Sequence, residues 1–186
     1  IMGYDSKEPS TQEMEQMKEV LDLELSKGAF GLSLGLIYPP SAFGKTDELL
    51  ELAKVVKKHN ALLTVHMRSE GEKIFEALDE MLFIAKQTGV HLHISHLKLL
   101  GPAQWGRSGE LLARIDEARN SGIIVTSDQY PYTAGSSTLT NLMPHWSHDG
   151  GKPEMMRRLR EREGTIYQDI GKELDHRGGL DAVLIT

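Results

Sequence analysis

Apolar positions along this chain switch repeatedly between two periods. After Ser10-Thr11-Gln12-Glu13, which has the spacing of a capping box, Met14, Met17, Val20, Leu21 and Leu25 recur every three or four residues until Gly28. That is the pattern of an amphipathic helix. Ala29 to Leu36 then alternates small and large residues, as a tightly packed strand would, and Gly31 and Gly35 imply a close backbone approach there. Pro39-Pro40 must end the strand, because neither ring nitrogen can donate to a ladder. Thr46 is placed to cap a second helix, with Asp47 and Glu48 at its positive end and Leu49, Leu52, Ala53 and Val56 as its stripe.

The same alternation continues. Leu62 to Arg68 reads as a strand carrying His66, and Glu72 to Thr88 as a third helix stopped by Gly89. His91 to Lys98 reads as a strand carrying His96, the stretch with Leu111, Leu112, Ile115 and Ala118 as a fourth helix ending at Gly122, and Ile123 to Asp128 as a fourth strand. Strand and helix alternating every ~30 residues imply right-handed βαβ crossovers, hence an α/β fold with a parallel sheet. His66 and His96 would then emerge at one carboxyl edge, where such folds keep their chemistry.

The rhythm fails after Pro131-Tyr132. Residues 1–132 are therefore expected to form one barrel-like unit, and 133–180 an insertion or lid over the active edge, with a charged helix from Pro153 to about Arg162. Residues 181–186 read as the start of a further strand. Ile1 in place of an initiator methionine and that unfinished strand suggest a piece of a longer protein.

Composition narrows the function classes. With 39% hydrophobic and 26% charged residues, the 186-residue chain has ordinary globular usage. A net charge of -6, with no basic stripe interleaved with aromatics, argues against nucleic acid. There is no cysteine, so no disulfide or thiolate ligand, and no apolar run near the ~20 residues a membrane helix needs. A cytoplasmic protein is the expectation.

The candidate chemistry lies at the strand ends. Imidazole is a common zinc ligand, and catalytic zinc takes about three protein ligands plus water; His66 and His96 would supply two. His91-Leu92-His93 imitates a metal pair but lies at the amino-terminal end of its strand, where packing under or against helices is the expected role. His145 and His148 fall in the insertion, where they could reach the pocket or sit on a solvated loop, and His59 and His176 at helix ends or on the surface. Lys98, two past His96, would share its side if the strand continued, and could grip a substrate carboxylate. Arg68 repeats that spacing after His66, and for both cations salt bridges to Glu70, Glu72 or Asp128 are the alternative. Tyr38 and Tyr130 could bring phenol donors over a pocket, or pack beneath loops. Asp128 is expected to hold loop amides.

Five segments in register carry a resemblance: Gly28-Ala29-Phe30-Gly31-Leu32-Ser33, Gly35-Leu36-Ile37-Tyr38-Pro39-Pro40, His66-Met67-Arg68, Ile94-Ser95-His96-Leu97-Lys98, and Tyr130-Pro131-Tyr132-Thr133-Ala134-Gly135-Ser136. Together they resemble the D-aminoacylase, or N-acyl-D-amino-acid deacylase, family of the amidohydrolase superfamily. The resemblance covers most of residues 1 to 150. It implies part of a (β/α)8 TIM-type barrel, about strands four to seven, in an enzyme that uses one or two zinc ions to hydrolyse N-acyl-D-amino acids. By it, His66 and His96 match metal ligands on the fifth and sixth barrel strands. Lys98 and Tyr38 match positions holding the substrate's α-carboxylate, Tyr130 the tyrosine that polarises the scissile carbonyl, and Arg68 a pocket-forming position. The family's first-strand His-X-His, bridging cysteine and eighth-strand aspartate have no counterpart in these residues, so the chain alone is expected to be inactive. A dihydroorotase-like cyclic amidase and a non-catalytic scaffold piece remain as alternatives.

Overall fold

The computed structural model describes residues 1–185. Four strands, β1 (Gly31–Gly35), β2 (Leu62–His66), β3 (His91–Ile94) and β4 (Val125–Ser127), form one parallel sheet in that order. Helix α1 (Thr11–Ser26) precedes β1, and α2 (Thr46–Lys58), α3 (Ile74–Thr88) and α4 (Ser108–Asn120) make the three crossovers. Each strand is shorter than its apolar run: β2 and β3 stop where the chain turns into the loops of the carboxyl edge, and β1 and β4 are shortened at both ends.

The pleat sorts the two faces. Leu63, Val65, Leu92 and Ile94 are fully buried against the helices, in one core with Val56, Leu78, Met81 and Ile84. Burying each such side chain contributes about 1.5–3 kcal/mol. The other face carries Gly31, Ser33, Thr64, His66, His91, His93 and Thr126. In the parallel register Gly35 lies opposite His66, Thr64 opposite His93, and His93 opposite Thr126. His91 and His93 thus stand on the face away from the helices, contrary to the expectation that they pack against them. Their rings bond across to β4, each contacting Thr126 Oγ1, at 3.2 and 2.9 Å.

Local chemistry explains most element ends. The capping box closes in both directions: Glu13 N donates to Ser10 Oγ at 3.2 Å and Ser10 N to Glu13 Oε2 at 2.8 Å. Gly89 ends α3 in the left-handed conformation, at φ 67°. Gly31 allows β1 and β2 their close approach, since a Cβ there would sit 1.9 Å from Leu62 O. Thr46 does not cap α2. It is the first helical residue, Lys45 holds the cap position without a side-chain bond, and Thr46 Oγ1 donates to Glu80 instead.

Beyond β4 the chain forms short 3-10 turns, then α5 (Lys152–Glu161) and α6 (Ile166–His176). The sequence reading foresaw α5 and missed α6, although Ile166, Ile170 and Leu174 trace a stripe, because Gly171 interrupts it. The end of α6 meets the loops of the carboxyl edge: His176 Nε2 lies 3.2 Å from Glu72 Oε1, and only a glycine fits at 101, where a Cβ would be 2.3 Å from His176 O. Val183 to Ile185 pair with no strand among the described residues, contrary to expectation, and Thr186 lies outside those residues. No helix among the described residues is long and apolar enough to cross a membrane.

Candidate metal centre

The parallel register brings His66 and His96 together. His66 closes β2, and its ring meets that of His96 edge-on, with centroids 4.4 Å apart and Nδ1 of His66 3.0 Å from Nε2 of His96. Nitrogens each ~2.0–2.1 Å from a tetrahedral zinc lie about 3.3 Å apart, so a shift of a few tenths of an ångström would let one ion touch both rings.

His96 reaches that place by a turn and not by strand alternation. β3 stops at Ile94, and His96 adopts a left-handed backbone, φ 43°, unusual for a residue with a side chain. Residue 128 clamps the turn: Asp128 Oδ1 accepts from His96 N at 2.5 Å, Asp128 O from Leu97 N at 2.9 Å, and Asp128 N donates to Ile94 O at 3.2 Å. Its other carboxylate oxygen meets His93 Nε2 at 2.9 Å. These bonds, that with His93 foremost and that with the His96 amide next, hold the Asp128 carboxyl below its ordinary pKa. The Asp128 carboxylate thus holds one loop amide, that of His96, and the His93 ring besides.

A third residue converges that the sequence reading left among possible salt-bridge partners. Glu70, buried to 7% exposure, places Oε1 2.9 Å from His96 Nδ1, 3.6 Å from His66 Nε2 and 2.5 Å from Lys98 Nζ. One ligand atom from each of His66, Glu70 and His96 lies within 4.8 Å of the others, a grouping that could hold a metal ion. His66 and Glu70 are four apart but share no helix, so spacing alone carried no sign of it.

The donor set suits a cation. His66 Nε2 is the one buried side-chain polar atom among the described residues that has no hydrogen-bond partner; its 3.6 Å to Glu70 is too long for a bond. Burial is the main reason the His66 pKa falls to about 4, against a smaller upward pull from Glu70. At neutral pH the imidazole is therefore unprotonated, the form that binds metal.

The other predicted residues surround this core unequally. Lys98 Nζ contacts Glu70 and His96 Nδ1, the latter at 2.9 Å, and lies 5.3 Å from the Tyr130 ring centroid. Tyr38 stacks obliquely on His66, with centroids 4.9 Å apart. The Tyr130 pKa is raised, first by burial and then by the charge of Glu70, so its phenol keeps its proton. Arg68 points elsewhere. It forks onto Glu80 (3.0 and 3.1 Å) and donates to the carbonyls of Ala42 and Gly44 (2.9 and 2.8 Å), pinning the loop after β1 to α3. None of the three acids weighed as its partner is the one it uses. His145 is exposed and lines a cavity above Ile37, whereas His59 bonds Asp22 at the α1–α2 contact.

Known proteins resemble this chain in sequence and in fold. The chain is 37% identical over 180 residues to an N-acyl-D-glutamate deacylase of Alcaligenes xylosoxydans xylosoxydans, covering 95% of this chain and 35% of that one. It is 38% identical over 128 residues to a D-aminoacylase of the same organism, covering 69% and 26%. This chain belongs to the D-aminoacylase family. No protein-family model matches it. A crystal structure of D-aminoacylase, described as defining a novel subset of amidohydrolases, superposes with TM-score 0.70 at 38% identity, over 73% of this chain and 28% of that one. The N-acyl-D-glutamate deacylase of Bordetella bronchiseptica, solved with zinc and a phosphonate mimic of the tetrahedral intermediate, gives 0.67 at 40% identity, over 69% and 27%. The four-stranded parallel sheet is thus part of a D-aminoacylase-type (β/α)8 barrel, and the chain spans about a third or less of the length of the curated relatives it matches.

Proposed function

We propose that the protein carrying this chain is a zinc-dependent amidohydrolase that cleaves the amide bond of N-acyl-D-amino acids. The observation that carries this reading is the pair of strand-edge imidazoles, their ring nitrogens 3.0 Å apart, with a buried, unpartnered His66 Nε2 beside the Glu70 carboxylate. His66 and His96 would hold one or two zinc ions, with Glu70 next to them. Bound zinc supplies a water of pKa ~7 and polarises the amide carbonyl.

The chain's own groups do the rest. Tyr130, kept protonated by its surroundings, would donate its phenolic hydrogen to the carbonyl oxygen as negative charge develops there. Lys98 and Tyr38 would hold the substrate's α-carboxylate, which for Lys98 means sharing its ammonium between that group and Glu70. A fixed carboxylate and a fixed carbonyl together select one hand of the substrate. Arg68, committed to Glu80 and two carbonyls, would act as pocket wall and not as a free charge. The segment 133–180 would cover the site. The partner is a small molecule, with no nucleic acid or membrane, and the location cytoplasmic.

The test uses the full-length protein reconstituted with zinc, assayed on N-acetyl-D-methionine and its L enantiomer. Zinc-dependent release of the D-amino acid alone is expected, with kcat/KM lowered at least 100-fold in His96→Ala. Full activity after zinc removal, or opening of cyclic amides in place of linear ones, would overturn the reading.

A further inference from the structure

His96 owes its place in the cluster to its backbone. Leu92 and Ile94 are buried against the helices and His91 and His93 face away from them, so an unbroken strand would turn residue 96 towards the helices. The left-handed backbone at His96, φ 43°, redirects the ring and leaves its Nε2 3.0 Å from His66 Nδ1. A histidine keeps that conformation only where its surroundings impose it. Glu70 contacts the ring and not the backbone. The amides of the turn go to residue 128: Leu97 N to the main-chain oxygen of Asp128, and His96 N to its carboxylate at 2.5 Å.

That carboxylate is itself propped from below. Asp128 Oδ2 accepts from His93 Nε2 at 2.9 Å, which leaves His93 Nδ1 to accept from the Thr126 hydroxyl, also at 2.9 Å. Thr126 Oγ1 in turn accepts from His91 Nε2 at 3.2 Å. The donors of this row all point one way, from the amino-terminal end of β3 towards the carboxyl edge, an order in which each bond strengthens the next. The row lies on the face of the sheet that a (β/α)8 barrel turns inward. The proposed reaction uses none of its four side chains.

We propose that Asp128, steered by His93, is a positioning residue of the metal centre: its carboxylate fixes the His96 turn and so sets the separation of the two imidazoles. Metal–ligand distances tolerate only ~0.2 Å, so a turn released at one bond loses zinc affinity before it loses its fold. The main-chain bonds of residue 128 to Ile94 and Leu97 do not depend on its side chain.

The inference rests on the zinc reading of His66 and His96, and its test is read without turnover. On the full-length protein, Asp128→Ala is expected to weaken zinc binding about tenfold or more in competition with a chromophoric chelator. In the zinc-free protein it should speed hydrogen exchange at the His96 amide while the thermal midpoint barely moves. Asp128→Asn, which keeps an oxygen for that amide, should retain nearly wild-type affinity. His93→Leu, which leaves the clamp without its prop, should fall between the two and add nothing in the Asp128→Ala background. Unchanged affinity in Asp128→Ala, or a loss in Asp128→Asn as deep as that in Asp128→Ala, overturns the positioning role and leaves the zinc site standing. Should Asp128→Ala not fold, Asp128→Asn and His93→Leu decide it, and equal affinities in those two overturn the proposal. A wild-type protein that binds no zinc sinks the metal centre and this inference together.

Discussion

Replacing Glu70 by glutamine changes one charge and almost no volume, at the point where the site's groups converge. In the native arrangement a single oxygen faces His96 Nδ1 at 2.9 Å, Lys98 Nζ at 2.5 Å and His66 Nε2 at 3.6 Å. The amide can still accept a hydrogen bond from Lys98, but it no longer neutralises that ammonium, which lies 2.9 Å from a ring proposed to ligate zinc. Carboxylates that orient ligating imidazoles typically contribute ~10–100-fold in metal affinity. Here the uncompensated lysine adds repulsion, so the upper half of that range, roughly 30–100-fold weaker zinc binding, is expected. Competition with a chromophoric chelator on the full-length protein measures it directly. Lys98→Met supplies the opposite sign: removing the cation should leave zinc affinity equal or higher. Unchanged affinity in Glu70→Gln would mean that the carboxylate serves Lys98 alone and would refute the three-residue site.

Further outcomes are expected away from that carboxylate. Gly31→Ala should destabilise the fold by ~3 kcal/mol or more, seen as a lowered calorimetric midpoint, because the obstacle 1.9 Å away is the Leu62 carbonyl itself and not a movable side chain. Arg68→Ala should cost ~2–3 kcal/mol in urea unfolding and loosen residues 42–44 to hydrogen exchange. The loss is moderated because Glu80 keeps its bond from Thr46 and the pair is partly exposed. The Glu13 carboxyl is held at about 2, chiefly by the backbone amide of Ser10. A folded pKa below the unfolded value of 4.5 means that its stabilisation is complete above that value and disappears as pH falls towards about 2. Glu13→Gln should therefore remove that part of the acid dependence of α1, read by NMR titration.

The α/β alternation, the parallel order and the edge carrying both histidines follow from local pattern, and the Ser10–Glu13 capping box and the Gly89 stop occur where side-chain chemistry alone puts them. Strand ends and the Thr46 position were less legible, because pairing partners and a distant Glu80 decide them. Glu70 was hidden for a similar reason. Its place in the site depends on the path of a loop, not on a spacing.

Periodicity is a property of neighbours in the chain, so the helices, the strands and the face each residue presents were written in the order of residues alone. The meeting of His66, Glu70, His96 and Lys98 was not, since it needs the left-handed turn at His96. That turn is held by an aspartate 32 positions away, across the gap between two strands. Contacts of that kind exist only once the sheet has formed, because no local preference favours a positive φ at a histidine.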